Sequence, residues 1–319
     1  MKTIIKQSHF VMRRAYIVYR RTTNDERHVT KKPAFTIVEL LTVMSIIVIL
    51  IGLLMPALNM AKRYAKGVRQ RAQFHSIDAA IELFSNEFEG YPPSNALDSV
   101  PTSYCGAMKL CEAMMGQDSM GFHTSSIFRS DGKNPSLKPP NDDLYPVPLD
   151  TTNLGARKGP FLPRESADVY KLEELYAGDI TPFPSQPTQK NRNRVLCDVY
   201  TRQMLTGIKA GMPILYYKAD TANNRHDPLN VPASPDGSTT NIYNIWDNQE
   251  LVAIGKQGVR TDKHALLVPN RFYKNTKSDK VTTADMPCRA DSYILLSAGW
   301  DGEYGTADDI FNFDWKYNP

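Results

Sequence analysis

The longest apolar run in the chain covers residues 35–58 and contains one charged side chain, Glu39. As a helix these 24 residues would span about 36 Å, which is enough to cross the hydrocarbon core of a bilayer. A secretory signal peptide has an apolar region of only about 7–15 residues, and no A-x-A cleavage site follows this run. The pattern therefore predicts one membrane-spanning helix.

After the apolar run, the pattern changes to apolar residues at three- and four-residue steps, which predicts an amphipathic continuation of the helix over residues 59–90. We expect the helix to end at Gly90, because Pro92 and Pro93 prevent its resumption. His75 falls on the apolar side and is expected to be packed or partly exposed rather than a ligand. The predicted apolar stripe consists of Ala61, Ala65, Val68, Ala72 and His75, then, after a small phase shift, Ile77, Ile81, Phe84 and Phe88.

Residues 91–205 are rich in proline and irregular, which predicts a long loop-rich insertion. Two short segments in it have a helical pattern, and three later segments are rich in Val, Ile, Leu and Tyr and favour strands. The pattern at 241–255 fits either a helix or a loop with a strand. The helix-like segments are 104–116 and 165–177, and the strand-like segments are 195–200, 212–220 and 291–299.

The net charge of +4 comes from the N-terminal segment. Residues 1–34 hold nine basic and two acidic side chains, which leaves 29 basic and 32 acidic side chains in residues 35–319. The total charge is therefore no argument for a nucleic-acid partner. A local basic cluster follows the apolar run at Lys62, Arg63, Lys66, Arg69 and Arg71.

The four cysteines form no C-x-x-C pair, so a zinc site is not expected. Two disulfides and four ordinary thiols both remain open, although Cys105 and Cys111 are poorly spaced to bridge each other within a helical segment. The chain also lacks the G-x-S-x-G, H-E-x-x-H, Walker A and G-x-G-x-x-G motifs. We therefore expect no enzymatic activity.

The segment A-F-T-I-V-E-L-L at residues 34–41 resembles the class III signal of type IV pilins and of type II secretion pseudopilins. The resemblance implies that a prepilin peptidase removes residues 1–34 as a cytoplasmic leader, cutting between Ala34 and Phe35 and methylating the amine of Phe35. Ala34 departs from the usual glycine, but it is also small. Glu39 becomes the fifth residue, and the family implies that it pairs with the amine of a neighbouring subunit. Pro56 falls at position 22, where the family often has a helix-loosening proline.

The residues from Gly299 to Ile310 are rich in acids and glycines, a composition that fits either a hard-cation site or a solvated Asp-Gly turn. Their pattern resembles the S-x-G-x-D-G…D-A-D-I loop of the major, G-type pseudopilins. The resemblance implies a Ca²⁺ site in a loop at 296–310, held by side chains with backbone carbonyls completing the shell. The implied residues are Asp301, Asp308 and Asp309, with Leu296 and Ser297 among the carbonyl donors.

The F-x-G-Y-P-P ending of the helix and the segment from Pro213 to Tyr217 also resemble G-type pseudopilins. The family implies a pilin-like α+β fold, in which the long helix packs with its distal half on a small antiparallel sheet within the β-rich part at 206–319. It implies a structural subunit of a bacterial secretion pseudopilus or related filament. Nothing in the resemblance covers residues 91–205.

The partners implied are prepilin peptidase, other pseudopilin subunits, an inner-membrane assembly platform and the lipid bilayer. The implied location is the bacterial inner membrane, crossed once, with a cytoplasmic N-terminus and a periplasmic C-terminal domain, although the flanking basic residues do not fix the orientation. Two alternatives stay open. The chain is a minor or tip pilin that binds a surface, substrate or DNA, or it is a membrane-anchored extracytoplasmic binding domain that does not polymerise.

Overall fold

A computed structural model describes residues 36–96, 103–139, 141–146, 148, 150–163, 167–177, 180, 183, 192–234, 237, 239–255, 264–281 and 284–318. The predicted cleavage site at Ala34 and Phe35 lies outside these residues. The chain divides into two units, Met1–Met55 and Pro56–Pro319. The described residues combine helices with small antiparallel sheets, an α+β arrangement.

The first helix, α1, covers Ile37–Phe88 and includes Pro56 within its length. It begins with a capping box that the sequence analysis overlooked. The hydroxyl and backbone N–H of Thr36 each donate to Oε2 of Glu39 at 2.8 Å, and the Glu39 N–H donates to the Thr36 hydroxyl at 3.2 Å. Glu89 adopts a positive φ of 58° just after the helix, at the predicted end. The predicted long helix is confirmed over the described residues.

The remaining helices are short. The helix-like pattern at 104–116 is confirmed as α2, and the ambiguous segment 241–255 forms the helix α5 rather than a strand. The pattern at 165–177 is confirmed only in part, because a strand occupies its middle. The bounds are α2 Gly106–Met115, α3 Thr151–Leu154, α4 Leu172–Leu175, α5 Trp246–Ala253, a 3-10 turn at Ala265–Leu267, and α6 Pro269–Thr276.

The strands pair antiparallel into three two-stranded ribbons and one three-stranded sheet. The three-stranded sheet has the order β7-β8-β9, with Leu215 opposite Leu296 and Leu296 opposite Phe311. The ribbons are β1-β2, β3-β4 and β5-β6. The bounds are β1 Phe122–His123, β2 Arg157–Lys158, β3 Val169–Lys171, β4 Arg194–Leu196, β5 Arg202–Gln203, β6 Lys209–Ala210, β7 Leu215–Lys218, β8 Tyr293–Ser297 and β9 Ile310–Phe311.

The core of the second unit forms on both sides of β7 and β8, since alternate side chains of a strand point to opposite faces. On one face, α2 and the end of α1 pack together, and all ten residues of α2 are buried. Phe84 anchors α1 here, with its ring centroid 5.1 Å from that of Phe122 and 5.7 Å from that of Phe161. The segment 91–205, predicted to be loop-rich, thus supplies a central helix.

The first half of the predicted apolar stripe of α1 does not pack on the domain. Ala61, Ala65, Val68, Ala72 and His75 are all exposed. The face that packs on the domain begins instead with two glutamines, because the backbone of the distant segment 197–199 presents hydrogen-bonding groups there. The buried residues of α1 are Gln70, Gln73, Phe74, Ile77, Ala80, Ile81 and Phe84.

All four cysteines are free thiols in the structure. Cys105, Cys111 and Cys197 are buried, and burial raises the pKa of Cys105 and Cys111 to about 12. These thiols are therefore protonated at neutral pH and behave as small apolar side chains.

Candidate functional site

The acidic loop lies between β8 and β9, so its two ends are held together by the pairing of Ser297 with Ile310. Inside the loop, Oδ2 of Asp308 accepts from the Asp301 N–H at 2.8 Å, and Oδ1 of Asp308 accepts from the Thr306 hydroxyl at 2.8 Å. The Glu303 N–H donates to Oδ1 of Asp301 at 2.7 Å. The loop thus folds around two carboxylates.

Burial raises the pKa of Asp301, and the nearby carboxylate of Asp308 raises it further. Two neighbouring carboxylates repel each other unless a proton or a cation lies between them. This pair is therefore the part of the predicted site that suits a hard cation.

Asp309 does not join the pair directly. Its side chain is buried, Oδ2 accepts from the Gly305 N–H at 2.8 Å, and Oδ1 has no hydrogen-bond partner among the described residues. Burial raises the pKa of Asp309 well above its usual range, and the charges of Asp308 and Asp301 add to the effect. The raised pKa favours the protonated, neutral form of Asp309, which is a poor ligand for a cation.

The two predicted carbonyl donors lie at the edge of this arrangement. Leu296 belongs to β8 and pairs on both sides, with Leu215 and Phe311. The hydroxyl of Ser297 donates to Oδ2 of Asp198 at 2.8 Å and accepts from the Gly299 N–H at 3.2 Å. Its side chain is therefore engaged with a buried acid from outside the loop.

Asp198 is a residue that the sequence analysis missed. Burial raises its pKa to about 6, although bonds from Ser297, Tyr200 and Met212 counter this rise. Its Oδ1 accepts from the N–H groups of Tyr200 and Met212, both at 3.1 Å. Asp198 lies two residues after the end of β4, and it ties this part of the chain to the base of the acidic loop.

A second missed residue, Arg202 on β5, lies against the same loop. Its Nη1 donates to the carbonyl of Asp301 at 2.7 Å, and its Nη2 donates to the carbonyls of Trp300 at 3.3 Å and Gly299 at 3.4 Å. Three backbone carbonyls of the loop are thus already bonded to a cationic side chain. No local motif could have identified either residue, because each lies about 100 residues from its partners.

No group of three or more Asp, Glu, His or Cys side chains in the described part of the chain has an arrangement that could hold a metal. Asp301 and Asp308 nevertheless supply the oxygen ligands that Ca²⁺ prefers, and Ca²⁺ accepts carbonyls and waters for the rest of its shell. The residues present therefore fit a two-carboxylate cation site better than the predicted three-carboxylate site.

Trp300 at the tip of the loop connects it to α1. The guanidinium carbon of Arg63 lies 5.0 Å and Nζ of Lys66 lies 5.2 Å from the centroid of the Trp300 ring. The ring of Tyr200 meets Trp300 edge-on at 6.4 Å. Part of the basic cluster of α1 is thus used within the molecule, in cation–π contacts.

The N-terminal part of α1 is long and apolar enough to cross a membrane, by length and composition. None of its most apolar window is buried by the described residues. Within this unit the Glu39 carboxylate caps the helix through Thr36, as described above. The capping box gives Glu39 a role in the isolated chain besides the predicted pairing with an amine.

Comparisons with protein-family models, with curated proteins and with solved structures found no match to this chain. The class of protein that the described residues define is therefore coarse: an α+β protein with one long apolar helix that could serve as a single membrane span.

Proposed function

We propose that this chain is a pilin-like structural subunit that polymerises through α1 into a pseudopilus or related filament after prepilin-type processing. The observation that carries the proposal is the apolar surface of α1 that the described residues leave exposed. The helix has 52 residues, and its buried residues all lie between Gln70 and Phe84.

The uncovered surface continues past the membrane-type run as a stripe. At 100° per residue, Tyr64 and Val68 lie opposite the face that carries Gln73 and Ile77. Tyr64 is 77% and Val68 is 51% exposed. Lipid can cover residues up to the end of the apolar run, but a stripe that continues along the helix is better explained by a neighbouring helix of the same kind.

Substitutions in the stripe test this proposal. We expect Val68→Asp to abolish filament formation in cells that supply the assembly machinery, because it places a charge in a packed helix interface. Val281→Asp is the matched control, since Val281 is also exposed but lies outside α1. Both variants should keep the wild-type melting temperature. Filaments of normal yield from Val68→Asp would contradict the proposal.

Processing is tested separately by mass spectrometry of the mature N-terminus. The proposal requires a chain that begins at Phe35 with a methylated amine. An intact leader or an unmethylated Phe35 would contradict assembly into a filament and would favour a membrane-anchored domain that does not polymerise. Counting subunits per filament would distinguish a major from a minor subunit.

We further propose that Asp301 and Asp308 hold Ca²⁺, which would neutralise the two facing carboxylates and stabilise the loop. Asp301→Ala and Asp308→Asn should each remove any rise in melting temperature that CaCl₂ gives over EGTA. The matched control is Asp227→Asn, because Asp227 is partly buried and lies outside the acidic loop. Equal melting in CaCl₂ and EGTA for the wild-type chain would contradict the calcium proposal.

A further inference from the structure

The acidic loop already contains a positive charge supplied by the protein itself. Arg202 extends from β5 to the loop and donates to three successive carbonyls, those of Gly299, Trp300 and Asp301, at 2.7–3.4 Å. Three carbonyls converging on one cationic group is the kind of arrangement that a bound metal ion would otherwise create. The fork of the guanidinium group suits it to this multiple bonding.

The backbone of the loop is built to admit this side chain. Gly302 has a φ of +69°, and a Cβ at this position would lie 1.5 Å from Nη1 of Arg202. Any other residue at 302 would therefore expel the guanidinium group or distort the loop. The close approach and the three bonds are independent signs that Arg202 belongs to the closed form of the loop.

The bonds also fix which ligands remain for a metal. The carbonyl oxygens of Gly299, Trp300 and Asp301 accept from Arg202, whereas the carboxylates of Asp301 and Asp308 accept from N–H and hydroxyl groups of the loop itself. A cation at the carboxylate pair would thus find the nearby carbonyls engaged. It would also be repelled by the guanidinium charge.

We propose that Arg202 is a resident cation that closes the acidic loop without metal and takes carbonyl ligands from any Ca²⁺ held by Asp301 and Asp308. The part concerning Ca²⁺ rests on the calcium site proposed above. In the wild-type chain, Ca²⁺ should then give only a small increase in stability. Without Arg202, the loop should depend on Ca²⁺ for its closure, and it should bind Ca²⁺ on the order of tenfold more tightly.

The test compares melting temperatures of the full chain in detergent, in EGTA and across a CaCl₂ titration. In EGTA, Arg202→Met should lower the melting temperature by roughly 3–8 °C, because three carbonyls lose a charged donor. Arg202→Lys should fall between Arg202→Met and the wild type. The matched control is Arg71→Met, which removes an exposed arginine of α1 and should change the melting temperature little.

A double-mutant cycle with Gly302→Ala separates the close contact from general strain. Gly302→Ala should cost more in the wild type than in the Arg202→Met chain, because the clash with the guanidinium group is absent there. Equal costs in the two backgrounds would show that Arg202 does not occupy this position.

The outcomes for Arg202 and for calcium are distinguishable. If Arg202→Met has the same melting temperature as the wild type in EGTA, the proposal is overturned. If Arg202→Met is less stable in EGTA and CaCl₂ restores it, both parts are supported. A loss of stability that CaCl₂ does not reverse in Arg202→Met, with no response to CaCl₂ in the wild type, would overturn the calcium site while supporting closure by Arg202.

Discussion

Replacing Gln73 with alanine should destabilise the second unit, because Gln73 and its neighbour Gln70 connect α1 to the domain. Its Nε2 donates to the carbonyl of Cys197 at 2.9 Å, and its Oε1 accepts from Nε2 of Gln70 at 3.0 Å. Oε1 of Gln70 in turn accepts from the Val199 N–H at 2.9 Å. Both glutamines are buried.

The magnitude follows from the groups that would be left unpaired. Gln73→Ala leaves the Cys197 carbonyl and the Gln70 Nε2 without their partners in the interior. Each of these two groups costs about 1–3 kcal/mol, so we expect a loss of about 2–6 kcal/mol in the free energy of unfolding. For a unit of this size, that corresponds to a fall of roughly 5–15 °C in melting temperature.

The assay is thermal and urea unfolding of the full chain in detergent, followed by near-UV circular dichroism. Gln203→Ala is the matched control, because Gln203 is exposed and its Nε2 donates to the Gly207 carbonyl at 2.6 Å. Losing this exposed hydrogen bond should change the free energy of unfolding by less than about 0.5 kcal/mol. Adding Gln70→Ala to Gln73→Ala should cost less than Gln70→Ala alone. Equal effects of Gln73→Ala and Gln203→Ala would refute the reasoning.

Three further changes test the interior of the second unit. Burial raises the pKa of Asp247 to about 7, above the 3.8 of an unperturbed aspartate, so folding favours its protonated form. The free energy of unfolding should therefore fall as pH rises from about 4 to about 7. In urea unfolding across this range Asp247→Asn should show a smaller fall, and a profile identical to the wild type would contradict the raised pKa. Phe84→Ala should lose about 3–5 kcal/mol in the same assay, whereas Leu83→Ala, at an exposed position, should lose little. Reducing agent should leave the melting temperature unchanged, because all four cysteines are free thiols, and a fall would reveal a disulfide.

The elements of the fold could be predicted wherever the signal was local. The apolar run fixed the position of α1, and runs of Val, Ile, Leu and Tyr indicated β7 and β8. The capping box of Thr36 and Glu39 was also readable from the T-x-x-E spacing.

The packed face of α1 could not be predicted in the same way. A helical stripe shows which residues are apolar, but not whether its own domain or something else covers it. Gln70 is buried because its partner is the backbone of Val199, 129 residues away, and such pairings leave no trace in the spacing of apolar residues. The spacing of apolar residues therefore predicts the helix, but not which side of its first half packs on the domain.

In the candidate site, too, only the residues that are close in sequence could be predicted. The acids of the loop could be found from composition, because Asp301 and Asp308 are close in sequence. Asp198 lies between β4 and β5 and Arg202 lies on β5, about 100 residues from the loop, so only the folded chain brings them there. The prediction of three converging carboxylates failed to anticipate that a protein cation would already bond the loop's carbonyls.

The exposed apolar stripe and the buried glutamines of α1 have a common explanation. A helix that packs only on its own domain lowers its free energy by turning apolar side chains inward and polar ones outward. Between residues 61 and 73, α1 does the reverse: Val68 faces out while Gln73 faces in. The hydrogen bond from Gln73 to the Cys197 carbonyl sets the rotation of the helix without using its apolar surface. That surface is then free for a second contact, which is what a subunit that polymerises through this helix requires.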